Sequence, residues 1–146
     1  MVLTNEKMIT HDTQLRVRYG ETDQMGYAYY GKYAEYFEVG RVELVRKLGI
    51  PYKEVEAKGI MMPVSKLEVN YKRPARYDDL LTIRTIVPET PRSSFRFEYE
   101  IYNEAQTLLA TGLVVLAFVN MQSMRPVRAP EFVIHAVEQY LVDKKD

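Results

Sequence analysis

From residue 65 onward the apolar residues of this chain recur at every second position, segment after segment, with no helical stretch between. Ser65, Leu67, Val69 and Tyr71 oppose Lys66, Glu68, Asn70 and Lys72. Leu81, Ile83, Thr85 and Val87 form a second such run. Phe95, Phe97, Tyr99 and Ile101 against Ser94, Arg96, Glu98 and Glu100 form a third, and the cleanest. A period of two means strands with one face buried and one wet. Residues 108–119 are apolar on both faces, which predicts the most central strand. Pro74, the turn Tyr77-Asp78-Asp79, Pro88, Pro91 and the 103–106 hairpin turn separate the runs. Consecutive strands joined by short turns make an antiparallel sheet.

Upstream, residues 13–18 alternate as one more strand. Residues 30–48 then place Tyr33, Phe37, Gly40 or Arg41, Leu44 and Leu48 on a single helical stripe. Gly49, Ile50 and Pro51 stop that helix, because Gly suits a left-handed cap and Pro cannot continue the ladder. Residues 51–58 predict a short second helix ended by Gly59. Residues 130–142 predict a terminal helix opened by Pro130. Runs of strands with a segregated helix define an α+β fold. About five antiparallel strands would curl around one central helix of roughly 28 Å.

With 146 residues, no internal repeat and no linker, the chain reads as one domain over 1–146, with 1–11 a flexible N-terminal segment. A formal net charge of zero argues against a nucleic-acid partner. No leader-like segment and no run of about 18 apolar residues occurs, so membrane insertion is not expected. The absence of Cys excludes disulfides and thiolate chemistry and suits the cytoplasm. The two histidines, His11 in the N-terminal segment and His135 in the last helix, have no clustered partners for a metal site. Ser65, Ser93, Ser94 and Ser123 lie in no nucleophile elbow. No cofactor is expected.

One stretch carries chemistry: Tyr19-Gly20-Glu21-Thr22-Asp23-Gln24-Met25-Gly26-Tyr27-Ala28-Tyr29-Tyr30-Gly31-Lys32-Tyr33. It sets the carboxylate of Asp23 in a Gly-containing turn seven residues ahead of Tyr30, where the long helix begins. A carboxylate facing a helix N-terminus makes a two-part hydrolytic site. One part activates water or attacks; the other offers free N–H groups to a developing oxyanion. The bland reading makes Asp23 a turn residue, lets Tyr30 and Gly31 merely begin the helix, and assigns Tyr27, Tyr29 and Tyr33 to packing. Glu38 and Arg41, three apart, read as a local ion pair.

Tyr19, Thr22, Asp23, Gly26, Tyr29, Tyr30, Gly31 and Tyr33, with Phe37, Glu38 and Arg41, make the chain resemble the hotdog-fold acyl-CoA thioesterases of the 4-hydroxybenzoyl-CoA thioesterase type. The block from Val69 to Asp79 supports the likeness. The resemblance implies a hotdog fold, an acyl-CoA substrate, and a dimer or tetramer with sites at subunit interfaces. It makes Asp23 the catalytic carboxylate, as nucleophile or general base, and the N–H of Tyr30, with that of Gly31, the donor that polarises the thioester carbonyl. Many members have His at the position of Tyr30, so no imidazole acts here. Tyr29 and Tyr33 become substrate-binding candidates, and Arg92, Ser93 and Ser94 candidates for the coenzyme A phosphates, with Lys72 and Arg73 weaker. Glu35, Glu38 and Glu43 are rivals to Asp23, because another hotdog branch carries its carboxylate on the helix. Pocket depth would depend on Tyr27, Tyr29, Tyr33, Met61 and Met62. Two other functions stay open. One is an acyl-carrier-protein thioesterase, docked through Lys72, Arg73 and Arg76. The other is a non-catalytic acyl-CoA binder.

Overall fold

The structure of the protein, a computed structural model, describes residues 8–145, with side chains as far as residue 141. In chain order its elements are β1 (Ile9–Arg16), a 3-10 turn (Tyr19–Glu21), a second 3-10 turn (Tyr30–Lys32) leading into α1 (Tyr33–Lys47), α2 (Tyr52–Ala57), β2 (Ile60–Met61), β3 (Val64–Tyr71), β4 (Leu80–Val87), β5 (Ser94–Tyr102), β6 (Leu108–Ala117), β7 (Val119–Asn120) and α3 (Glu131–Lys145). Five strands form one antiparallel sheet in the order β1-β4-β5-β6-β3. The expected α+β arrangement, a five-stranded antiparallel sheet with a long helix packed on it, is found, and the terminal helix α3 is as long as α1.

Three expectations need correction. The N-terminal segment is ordered from Ile9, which is fully buried and pairs with Val87; His11 lies within β1 opposite Thr85. Residues 1–7 of the expected flexible segment lie outside the described residues. The alternation therefore starts four residues earlier than 13–18 suggested, because Thr10, His11 and Asp12 conceal a strand whose inner positions are filled by Ile9 and half-buried polar residues.

Secondly, β5, not β6, is central. Apolar character on both faces marks burial, not position in the sheet. Leu113, on the outer face of β6 by its pairing with Glu98, is buried. On the middle strand, β5, the outer face keeps Arg96, Glu98 and Glu100, which are tied into ion pairs. Arg84 links Asp12 at 2.9 Å and Glu100 at 3.7 Å across three strands. The apolar run also ends earlier than residue 119. The chain bends after Ala117, and β7 pairs with β2 in a separate two-stranded ribbon too short to show a period.

The third correction concerns Glu38 and Arg41, which form no ion pair. Glu38 is exposed, whereas Arg41 turns into the core, donates to the Tyr99 hydroxyl at 3.2 Å and lies over the Phe97 ring.

The helical stripe lies where the spacing put it. Tyr33, Phe37, Gly40, Arg41 and Leu44 are buried, together with Tyr36 and Val45. Two glycines let α1 lie close to the sheet. A Cβ on Gly40 would run into Thr85 and Ile83, and one on Gly112 into the Phe37 ring. Phe37 fills that space and stacks on Tyr99 with centroids 4.3 Å apart. Gly49, at φ +78°, ends α1 as the sequence required, its N–H bonding Arg46 and that of Ile50 bonding Val45. The last helix runs on to Lys145 and buries Val133, Ile134 and Val137.

One flank stays uncovered. Leu67 pairs with Val114, and so shares the core-facing side with Phe97, yet it is 46% exposed, and Val64 on the same strand is 53% exposed. Both lie on β3, whose outer edge has no neighbour among the described residues.

If Phe37 seats α1 through the gap at Gly112, Gly112→Ala should destabilise the fold by about 1–3 kcal/mol, the scale of overpacking. This runs against the usual gain on replacing a strand glycine. Chemical denaturation reads the difference, and an unchanged or raised midpoint would contradict the packing.

Candidate active site

The turn that carries Asp23 is built by its own backbone. The Asp23 N–H bonds the Tyr27 carbonyl at 2.8 Å, and the Gly26 N–H bonds the Asp23 carbonyl at 2.9 Å. Gly26 takes φ +80°, which a side chain would resist. The Asp23 carboxylate closes the turn from within. Its Oδ1 accepts the N–H groups of Met25 at 2.9 Å and Tyr27 at 3.1 Å. Its Oδ2 has no partner among the described residues. One oxygen thus holds the group in place, and the other is left open.

The loop is docked at both ends. The Ala28 N–H bonds Ala75, Tyr27 bridges Arg76, and the Arg76 guanidinium lies 5.0 Å from the centre of the Tyr27 ring. Upstream, Glu21 is buried and gathers three donors on its carboxylate. The Arg18 N–H and the Tyr36 hydroxyl meet Oε1 at 3.0 Å each, and Arg18 Nε meets Oε2 at 3.0 Å. Burial alone would raise the carboxyl pKa. The Arg18 amide and side chain and the Tyr36 hydroxyl outweigh it and hold Glu21 below its ordinary range. Its backbone carbonyl accepts the N–H of Tyr29. Glu21 therefore ties the Asp23 loop both to the residue before Tyr30 and to α1. The Tyr36 hydroxyl pKa is pushed up, first by burial and then by this carboxylate.

At the head of α1 the chain makes a 3-10 turn. Tyr29, its N-cap, supplies no side-chain cap. The N–H groups of Tyr30 and Gly31 find no acceptor among the described residues, as expected of a helix start. The Tyr30 carbonyl accepts the Tyr33 N–H and the Tyr71 hydroxyl, the latter at 2.8 Å.

Asp23 and Tyr30 meet in a cleft of about 290 Å³, lined also by Tyr27, Tyr33, Tyr71, Lys72 and Arg73. The structure therefore brings together the two residues on which the hydrolytic reading rests. Tyr33 lies at the cleft's base, buried, its ring edge-on to Tyr71 at 4.9 Å; burial pushes its hydroxyl pKa up. Gly31 and Tyr29 do not line the cleft. The Tyr29 ring covers Gly31 and lies 4.5 Å from that of Tyr30. Met61 and Met62 lie away from it, Met61 in the small ribbon. Glu35 pairs with Lys32 and Glu43 with Arg46, and neither they nor Glu38 reach the cleft.

Arg92, Ser93 and Ser94 are exposed where β5 begins, with Ser94 beside Ala117. That end of the sheet adjoins Val64, seven residues along β3 from Tyr71, or roughly 23 Å at strand rise. Within one chain they are not part of the cleft. Lys72 and Arg73 are, and neither has a carboxylate partner among the described residues. Sequence reasoning gave no role to Glu21, Tyr36 or Tyr71. Glu21 and Tyr36 are 15 residues apart and Tyr30 and Tyr71 are 41 apart, and no local period joins such pairs.

Residues 17–137 match the thioesterase-like superfamily, and the chain belongs to it. It is 30% identical over 125 residues to the acyl-CoA thioester hydrolase YbgC of Escherichia coli, covering 86% of this chain and 93% of that one. It is 31% identical over 118 residues to the acyl-CoA thioesterase YbgC of Haemophilus influenzae, covering 80% and 86%. Among solved structures, the DHNA-CoA thioesterase of Staphylococcus aureus superposes with a TM-score of 0.83 at 34% identity, over 94% of this chain and 95% of that one.

The brace at Glu21 has a pH signature. A carboxyl held below its ordinary value of 4.5 stabilises the fold above that pH and loses the contribution as pH falls through its lowered value. Glu21→Gln should cost about 1–3 kcal/mol at neutral pH. Its deficit against wild type should shrink below pH 4.5, since only the wild type loses the interaction there. Urea titrations at neutral and acid pH measure both, and a deficit independent of pH would refute the charged brace.

Proposed function

We propose that this protein hydrolyses acyl-CoA thioesters to the free carboxylic acid and coenzyme A, with Asp23 as base or nucleophile and the N–H groups of Tyr30 and Gly31 as oxyanion donors. One observation carries the reading. A carboxylate oxygen without a partner among the described residues shares a cleft with Tyr30, the first residue of a helix start whose N–H groups meet no acceptor there.

The chemistry balances by either route. As base, Asp23 takes a proton from water, the hydroxide adds to the thioester carbon, the C–S bond breaks, and the thiolate takes up a proton. As nucleophile, Asp23 Oδ2 forms the C–O bond of an anhydride while coenzyme A leaves as thiolate, and water then releases the acid and restores the carboxylate. In both, the carbonyl oxygen gains negative charge and the helix head receives it. One such donor is worth about 3–4 kcal/mol in the barrier. Neither route uses a metal or redox cofactor, and both suit the cytoplasm. Relatives named acyl-CoA thioester hydrolases support the substrate class. Tyr33, which lines the cleft, is the substrate-binding candidate that an acyl group would meet there, whereas Tyr29 lies outside it over Gly31.

The uncovered flank supports assembly. Leu67 and Val64 are core-facing residues left half in water beside an unpaired edge, which a second copy would cover. Antiparallel pairing of two β3 edges runs the Tyr71 end of one copy toward the Val64 end of the other. It would bring Arg92, Ser93 and Ser94 of the second copy toward this cleft, where coenzyme A phosphates would meet them, joined by Lys72 and Arg73. The same two unpaired cations also favour a second reading, an acidic acyl-carrier protein as acyl donor. The ratio of kcat/KM for matched acyl-CoA and acyl-carrier substrates separates the two. A non-catalytic binder would have no use for a carboxylate oxygen kept free beside the thioester.

Asp23→Asn keeps the Oδ1 that accepts Met25 and Tyr27, so the loop should fold. Its kcat on acyl-CoA should fall by at least about 100-fold, the scale of a lost general base. Near-wild-type turnover in a folded preparation would sink the scheme. Light scattering at micromolar concentration should give a dimer mass or a multiple of it. An active monomer would refute both the assembly and a site completed by a second copy.

A further inference from the structure

We infer that Tyr71 is a positioning residue of this site: its hydroxyl clamps the Tyr30 carbonyl and so aligns and polarises the N–H donors at the head of α1. The inference rests on the hydrolytic reading above and extends it to a residue 41 positions away in the sequence.

The helix head has no side-chain cap of its own. What fixes it comes from β3. Tyr71 is the last residue of that strand, held by pairing to Ala110, and its hydroxyl donates to the Tyr30 carbonyl at 2.8 Å. Its ring, about half exposed, meets Tyr33 edge-on with centroids 4.9 Å apart, which sets the direction of the hydroxyl. The Tyr33 N–H takes the same carbonyl oxygen and closes the 3-10 turn. Two donors therefore converge on one acceptor, one from the helix and one from the sheet.

The consequence is chemical as well as mechanical. The Tyr30 carbonyl and the Gly31 N–H belong to one planar amide. A hydrogen bond at the oxygen draws electron density from the nitrogen and makes that N–H a stronger donor. The same bond stops the turn from rotating, which keeps the neighbouring Tyr30 N–H aimed while charge builds on the thioester oxygen. An aligned donor acts on the transition state more than on the bound substrate. Tyr71 should therefore affect kcat and leave KM nearly unchanged. A tyrosine that merely touched the acyl or pantetheine chain would do the reverse.

Tyr71→Phe removes the hydroxyl and keeps the ring against Tyr33. In the full-length protein, kcat on an acyl-CoA should fall about three- to tenfold at near-constant KM, the scale of one neutral hydrogen bond. In ¹H–¹⁵N spectra of the ligand-free protein, the Gly31 amide should shift upfield in nitrogen while the other glycine amides stay in place, which also shows that the variant is folded. An unchanged kcat, or a raised KM at unchanged kcat, would overturn the inference, as would a Gly31 resonance that does not move. Asp23→Asn in the same assay tests the hydrolytic scheme by itself. If it stays active the scheme fails, and if it is inactive while Tyr71→Phe matches wild type, the clamp alone fails.

Discussion

Phe37 occupies the space that a side chain at Gly112 would fill, and much of the rest follows from that contact. It presses α1 onto the sheet next to Tyr99 and, with Gly40 against Thr85 and Ile83, sets the height of the helix. The helix head must then lie near the ends of β3 and β6, where Tyr71 and Ala110 are paired. A bulkier residue at either glycine would lift α1 and carry Tyr30 away from Asp23.

Around that seat, polar groups with complete partners surround three that are left without. Glu21 satisfies its carboxylate with three donors, Asp23 Oδ1 with two, and the Tyr30 carbonyl with two. Asp23 Oδ2 and the N–H groups of Tyr30 and Gly31 have none among the described residues. Asp23 is half-buried and Tyr30 and Gly31 are exposed, so these groups stay open to solvent.

The outer face of the sheet shows the same economy without a site. Asp12, Arg84 and Glu100 cross three strands as a row of ion pairs, which lets the central strand carry charge on its wet face. This explains how β5 can alternate so cleanly while lying in the middle.

Period and punctuation alone determined the strands β3 to β6, the helix stripe from Tyr33 to Leu44, the stop at Gly49 and the class of fold. These follow from neighbours within a few residues, where sequence spacing and spatial spacing are the same quantity. The Asp23 turn and its distance from Tyr30 were legible for the same reason, since Gly26 and the Asp side chain act within one loop. The early start of β1, the order of strands, the inward turn of Arg41, the brace at Glu21 and Tyr36, the reach of Tyr71 and the remoteness of Arg92 were decided only by tertiary structure. Each depends on residues brought together by sheet register and helix seating across 15 to 72 positions. A residue's type shows that it can donate, accept or pack, but only the closed fold decides which distant partner it meets.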